Sequence, residues 1–285
     1  MTGPERATAP RSAMLPPHLQ SLLAACRHEL GPFGTHGRVV AATTSTNDDA
    51  LAWAADGAPE GAWIVAASQT AGRGRRGRAW ASPPGAGLYA SIVFRPASMT
   101  AADDPAMALL TVMAGVATVE AIADASGVRA VLKWPNDVVI ESSGGRARKL
   151  AGILAEGAMT GARLAAVVVG IGVNIRPTAY PPDVAARAVS VEEVAGRGVD
   201  VDGVLVALLA ALRARREALR SPGGSAALLD AWRGWSPSAV GARIRWDQQG
   251  RVCEGITAGV DDTGALRVRT PAGETRLVAG EVVWA

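Results

Sequence analysis

Lys133-Trp134-Pro135-Asn136-Asp137-Val138-Val139-Ile140-Glu141, then Arg148-Lys149-Leu150-Ala151-Gly152-Ile153-Leu154-Ala155-Glu156, then an apolar run from Leu164 that ends in Gly170-Ile171-Gly172-Val173-Asn174, read together as strands joined by short turns. Runs of Val, Ile and Leu bounded by Gly, Pro, Asn and Ser predict strands over Val131–Trp134, Val138–Glu141, Ala151–Glu156 and Leu164–Ile171, with a turn over Ser142–Arg148. Pro135 stops ladder pairing, which places Asn136 and Asp137 in a turn. Outward from this block, Val39–Ala42, Trp63–Ser68 and Leu88–Phe94 read as further strands. Leu15–Leu30, a helix begun at Ser45 and Asn47 and ending near Ala55, Asp104–Ser126, Val204–Leu219 (arginine-rich on its outer face) and Ala226–Trp235 read as helices. Several strands on short turns, with few crossover helices, predict an α+β domain with a mixed sheet. After Trp235 the texture changes to short alternating strands over Arg243–Trp246, Val252–Ile256, Ala265–Arg269 and Glu274–Val278, which predicts a small β-barrel. The expected organisation is an N-terminal extension over 1–37 with a disordered leader over 1–14, a larger mixed-sheet domain over 38–236 and the barrel over 237–285.

Composition narrows the chemistry. The 285 residues are 49% hydrophobic with a net charge of +3, which describes a soluble globular chain. Two cysteines far apart in sequence provide neither a disulfide framework nor metal-ligand spacing, and suit a reducing cytoplasm. No signal peptide is visible in the first 17 residues. The apolar run Pro105–Ala123 contains Glu120 and Gly115 and predicts a buried helix, not a membrane span. His18, His28 and His36 all fall near the N-terminus, so the main body has no histidine triad, Cys–His pair or histidine-rich zinc site. Chemistry there must rest on Arg, Lys, Asp, Glu, Asn, Gln, Ser and backbone amides. Such a set suits positioning and charge stabilisation, which is what phosphoryl-type chemistry chiefly needs.

The rare residues show where that chemistry lies. The chain has two lysines, Lys133 and Lys149, and three asparagines, Asn47, Asn136 and Asn174, and all five lie inside short motifs. Elsewhere it uses arginine, whose planar fork cannot replace a compact ammonium in a tight site. Thr44-Ser45-Thr46-Asn47 is most economically a helix cap. Lys149 has a bland reading as a strand-edge gatekeeper, and Gly170-Ile171-Gly172 as close packing. Gly72-Arg73-Gly74-Arg75-Arg76-Gly77-Arg78-Ala79-Trp80 matches G-x-G-x-x-G formally. However, Pro83 and Pro84 stand where a dinucleotide motif needs a helix, and Arg78-Ala79 replaces the Lys-Ser/Thr of a Walker loop. Two readings stay open. One is a solvated basic loop or nonspecific nucleic-acid patch. The other is a mobile glycine hinge that carries guanidinium groups to a small anionic ligand and is ordered by it. An RNA-binding protein built on this loop would need aromatics interleaved with its basic stripes, but Tyr and Phe total four.

In their order along the chain, Ser45-Thr46-Asn47, Gln69-Thr70-Ala71 with the glycine–arginine loop, Lys133–Asp137, Lys149–Glu156 and Gly170–Asn174 resemble the biotin–protein ligase family, over roughly residues 38–285. The resemblance implies a catalytic domain of the biotin/lipoate ligase type with an SH3-like C-terminal barrel. It also implies an enzyme that activates biotin with ATP and Mg2+ to biotinyl-5′-AMP. Biotin then passes to a lysine of a biotin carboxyl carrier domain of acetyl-CoA carboxylase or a related carboxylase. Lipoate–protein ligase is the alternative within the same chemistry. Carried over to these positions, Ser45, Thr46, Asn47, Gln69, Arg73, Gly74, Arg75 and Lys149 would bind biotin. Arg75, Arg78, Trp80, Lys133, Asn136 and Asn174 would bind ATP, with Trp80 over the adenine. Lys149, Arg75 and Asp137 would be catalytic, and the metal ligands stay unassigned. Some members carry a DNA-binding winged helix. The stretch before Ser45 offers at most one helix, so specific DNA binding is not expected. No membrane association is expected either, and the molecule is expected to be a monomer or homodimer.

Overall fold

The computed structural model describes residues 15–96, 108–141, 147–161, 163–248, 250–278, 280 and 282–284. The expected leader over 1–14, the start of the helix expected from Asp104 and most of the turn over Ser142–Arg148 lie outside these residues.

Chain order begins with helices α1, Pro17–Ala25, and α2, Arg27–Leu30, which break at Cys26 the single helix expected there. Strand β1, Gly37–Val40, helix α3, Thr46–Ala55, and strands β2, Trp63–Ala66, and β3, Gly87–Phe94, follow. Next come helix α4, Leu110–Ser126, and the four strands β4, Val131–Lys133, β5, Asp137–Ile140, β6, Arg148–Thr160, and β7, Arg163–Asn174. Helices α5, Val191–Ala195, α6, Val201–Arg220, and α7, Gly224–Trp235, complete the larger part. Its seven strands form one sheet in the order β1-β2-β3-β7-β6-β5-β4. The β1–β2 pair is parallel and the other pairs are antiparallel, so the sheet is mixed.

The two faces of the sheet have different coverings. Leu88, Ala90, Ile92 and Phe94 of β3 and Val167, Val169, Ile171 and Val173 of β7 bury against α4, α6 and α7 in the main core. Alternate residues point the other way, as strand pleating requires. There Val40, Ile64, Ala66, Val93, Ala166 and Val168 pack under Ala50 and Ala54 of α3. That helix covers only part of its face, and the cleft described below opens beside it. Leu19, Leu23, Leu30 and Phe33 join the main core, so the segment before β1 packs as part of the same body.

The smaller part is a five-stranded antiparallel sheet, β11-β10-β9-β8-β12. Its strands are β8, Val240–Gln248, β9, Arg251–Val260, β10, Leu266–Thr270, β11, Gly273–Leu277, and β12, Val282–Trp284. The last of these has no expected counterpart: three residues are too few to show a period. The Trp134 indole N–H donates to the Gly264 carbonyl at 3.0 Å, tying the β9–β10 turn to the sheet domain.

Three expectations need correction. Asp137 begins β5 opposite Lys133, so only Trp134, Pro135 and Asn136 form the turn. Strand β6 is far longer than its apolar centre because its far end continues to pair with β7. Arg216 on α6 is not on an outer face; it is 1% exposed and paired with Glu60. Among the described residues, no helix is long and apolar enough to cross a membrane.

Candidate active site

A cleft of about 1040 Å³ lies on the α3 side of the sheet, bounded by the loop after β2, the β4–β5 turn and the end of β12. Every site residue expected from sequence lines it: Ser45, Thr46, Asn47, Gln69, Arg73, Gly74, Arg75, Arg78, Trp80, Lys133, Asn136, Asp137, Lys149 and Asn174. The strand period explains much of this. Gly170, Gly172 and Asn174 alternate along β7, while Gly152, Leu154 and Glu156 alternate along β6. Gly152 lies opposite Gly172, and Leu154 opposite Gly170. A flat strip of backbone therefore forms the floor.

What approaches those glycines is the protein itself. A Cβ on Gly170 would stand 2.2 Å from Asn47 Oδ1, and one on Gly172 would stand 2.5 Å from Trp80 Nε1. The Trp80 indole lies against β7 with its Nε1–H buried and without an acceptor among the described residues. The Lys149 ammonium lies 5.3 Å from the centre of the same ring.

Ser45 occupies the N-cap position of α3, but its side chain makes no capping bond. Gln69 does that work, accepting from Thr46 N at 2.9 Å and from the Thr46 hydroxyl at 3.1 Å. Its amide then donates to Ser82 Oγ at 2.8 Å. Asn47 turns inward, donating to Glu156 Oε2 at 2.6 Å and accepting from Ser91 Oγ at 2.6 Å. The helix-cap reading thus holds for the backbone only: the side chains of Thr46 and Asn47 belong to a buried polar network facing the cleft.

The glycine–arginine loop is a narrow hairpin. Trp80 N donates to Gly72 O at 2.8 Å and Gly74 N to Arg78 O at 2.7 Å. Arg76 and Gly77 take φ of 57° and 69° at its tip, a region that favours glycine. Arg73 forms a two-pronged pair with Asp48, both contacts at 2.6 Å, and reaches Glu156 at 3.3 Å. These partners, Asp48 above all, raise its pKa further. Arg73 is therefore engaged by two carboxylates. Arg75 points across the cleft and donates weakly to Asn136 Oδ1 at 3.4 Å. Burial lowers its pKa, and Arg76 beside it adds to the effect against the pull of Asp137.

On the opposite wall, Lys149 Nζ lies 2.5 Å from Asp137 Oδ1. Its backbone is clamped from a segment that carries no recognisable motif: Lys149 N donates to Arg187 O at 2.8 Å, and Val189 N to Lys149 O at 2.9 Å. Asn174 spends its amide on Lys149 O and Val189 O at 3.3 and 3.2 Å, so it braces Lys149 from behind. Asn136 likewise donates to Ile153 O at 2.8 Å, locking the β4–β5 turn to β6.

Sequence reasoning passed over Asp48, Ser82, Ser91, Glu156 and Trp284. Ser91 carried a signal, a hydroxyl in the middle of an apolar strand. Glu156 carried another, in register with Gly152. Trp284 carried none. Among the described residues the only three-membered His/Cys/Asp/Glu cluster is His18, Asp200 and Asp202, none of which lines the cleft.

The mixed sheet with its cation-lined cleft and appended antiparallel sheet is a two-part α+β architecture, and similarity to known proteins identifies its class. Residues 39–174 match the Biotin/lipoate A/B protein ligase family, and 241–284 match the Biotin protein ligase C terminal domain. The chain is 38% identical over 255 residues to the biotin–[acetyl-CoA-carboxylase] ligase of Paracoccus denitrificans, covering 86% of this chain and 98% of that one. It is 35% identical over 260 residues to the Mycobacterium tuberculosis ligase of the same name, covering 86% and 87%. The fold also matches the biotin protein ligase of Aquifex aeolicus solved with biotin and ATP, at a TM-score of 0.72 and 23% identity, over 88% of this chain and 99% of that one. The chain belongs to the biotin/lipoate protein ligase family.

Proposed function

We propose that this chain is a biotin–[acetyl-CoA-carboxylase] ligase. A biotin carboxylate oxygen attacks the α-phosphorus of ATP, pyrophosphate leaves, and biotinyl-5′-AMP forms. The amine of a carrier-protein lysine then attacks the acyl carbon. The amide bond forms, AMP departs with the anhydride oxygen, and the amine loses a proton to solvent. The observation that carries this reading is the placement of Lys149. It stands on a glycine-floored strip beside Asp137, with Arg75 across the same cleft. Both reactants are anions, and fixed cations at that point offset their repulsion and stabilise charge developing on phosphate.

In this reading Ser45, Thr46, Asn47 and Gln69 form the biotin end and Trp80 lies between the two halves. Arg75, Arg78, Lys133 and Asn136 face the nucleotide, and Asn174 braces Lys149. Arg73 anchors the loop to Asp48 and Glu156, so its contribution to biotin binding is indirect. Mg2+ would enter on the triphosphate, since magnesium is commonly held by one or two carboxylates plus phosphate oxygens. Asp137, paired with Lys149, and Asp183 are the carboxylates that line the cleft among the described residues. A carboxylase carrier domain as acceptor and a cytoplasmic location complete the proposal.

The test is biotin-dependent exchange of pyrophosphate into ATP, run again with lipoate. Exchange with biotin is expected. Exchange with lipoate alone would move the chain to the lipoate branch.

A further inference from the structure

The small C-terminal sheet reaches into the cleft. Gly280, Val282 and Trp284 line it beside Lys133 and Trp134. The contact is held firmly by the Trp134–Gly264 hydrogen bond, and a Cβ on Gly264 would lie 3.0 Å from Val112 of α4. Strand β12 pairs with β8 from Val282 to Trp284, so the indole hangs from a paired strand and not from a free tail.

Lys133 is the residue that this indole meets. Its ammonium is 5.5 Å from the centre of the Trp284 ring. Across the β4–β5 hairpin the facing residue is Asp137, but that carboxylate is taken by Lys149 at 2.5 Å. Among the described residues Lys133 makes no ion pair. A half-buried ammonium with no direct ion-pair partner among the described residues is costly, and burial indeed lowers its pKa against the pull of Asp137 and Glu141. The face of an indole is the best aromatic partner for such a cation. It partly compensates for lost water without neutralising the charge, so the cation stays available to an anion.

We propose that Trp284 is a positioning residue for the nucleotide half of the site, contributed by the C-terminal sheet, which holds Lys133 toward the phosphates of ATP. This rests on the ligase reading above and deepens it. The small domain then completes the nucleotide site and is more than an appendage.

The test uses the full chain, with ATP binding followed by titration calorimetry and KM for ATP and for biotin measured separately in pyrophosphate exchange. Trp284→Leu keeps apolar bulk and removes the π face. It is expected to weaken ATP binding and raise the ATP KM about tenfold, while kcat and the biotin KM stay within about twofold. Trp284→Phe retains a ring and is expected to stay within about threefold of the native chain. In a Lys133→Met background, Trp284→Leu should add nothing to the loss of ATP binding. Unchanged ATP binding in Trp284→Leu overturns the proposal. So does a Phe variant as weak as the Leu variant, or an equal loss of ATP and biotin affinity together with a lowered Tm. A native chain that binds no ATP overturns the ligase reading itself.

Discussion

Lys149 is held from three sides. Arg187 and Val189 fix its backbone, Asn174 braces its carbonyl, and Asp137 takes its ammonium. A Cβ on the neighbouring Gly152 would lie 3.2 Å from Nζ, so the space around the head group is small. Lys149→Arg keeps the charge but brings a broader planar head into that space. It is expected to lose biotinyl-adenylate synthesis by on the order of 100-fold, the size of effect a 1 Å misplacement can have. Thermal unfolding should hardly change, because Lys149 lies at the edge of the core. Single-turnover adenylate synthesis beside a melting curve decides this. Native-like synthesis by the variant would mean that an ammonium is not required.

At the scale of elements, the glycines of β6 and β7 and the glycine–arginine hairpin work together. Trp80 closes the hairpin and lies on the strip that Gly172 keeps bare. Gly172→Ala places a methyl 2.5 Å from the indole nitrogen and must displace the ring. Overpacking of this kind costs about 1–3 kcal/mol. The clash vanishes when the ring is absent, so Gly172→Ala should destabilise a Trp80→Ala protein much less than the native one. Equal losses in the two backgrounds would place the strain elsewhere. The hairpin also bears on ligand capture. Arg73 is anchored, whereas among the described residues Arg75 has one side-chain hydrogen bond, the 3.4 Å contact to Asn136. Amide hydrogen exchange over residues 72–80 is expected to slow when biotin and ATP are added together, because the anions give Arg75 a strong partner across the cleft. Strong protection both with and without ligand would show a loop that is rigid throughout.

At the scale of the whole molecule, one buried ion cluster joins distant parts of the chain. Glu60 accepts from Arg216 Nε at 3.2 Å, Arg220 at 2.8 Å and Arg95 N at 3.0 Å. Arg216 is 1% exposed, and Glu60 is one of the groups that compensate its buried charge. Removing one partner of a buried ion pair costs up to about 3–5 kcal/mol. Glu60→Ala should therefore lower the unfolding midpoint strongly, and Glu60→Gln, which keeps an acceptor, less so. A midpoint within a degree or two of native in Glu60→Ala would mean that Arg216 finds other compensation. The same cluster shows what position along the chain conceals: an arginine counted with the outer face of a helix proves to be the most buried cation among the described residues.

Local chemistry sufficed for a good deal of this protein. Apolar runs between turn formers made β2, β3, β5, β6 and β7 legible, and the change of period after Trp235 separated the small sheet. The rare lysines and asparagines singled out residues that the fold gathers into one cleft. These signals are local because strand period, turn chemistry and residue rarity are read within a few positions. What only the tertiary structure decided depends on pairing between distant segments. The clamp of 187–189 on Lys149 has no pattern of its own. The engagement of Arg73 by Asp48 and Glu156 arises because β6 lies beside α3. The arrival of Trp284 at Lys133 depends on how a separate sheet docks. Charge partners and docked strands follow from three-dimensional neighbourhood, which hydrophobic periodicity along one chain does not encode.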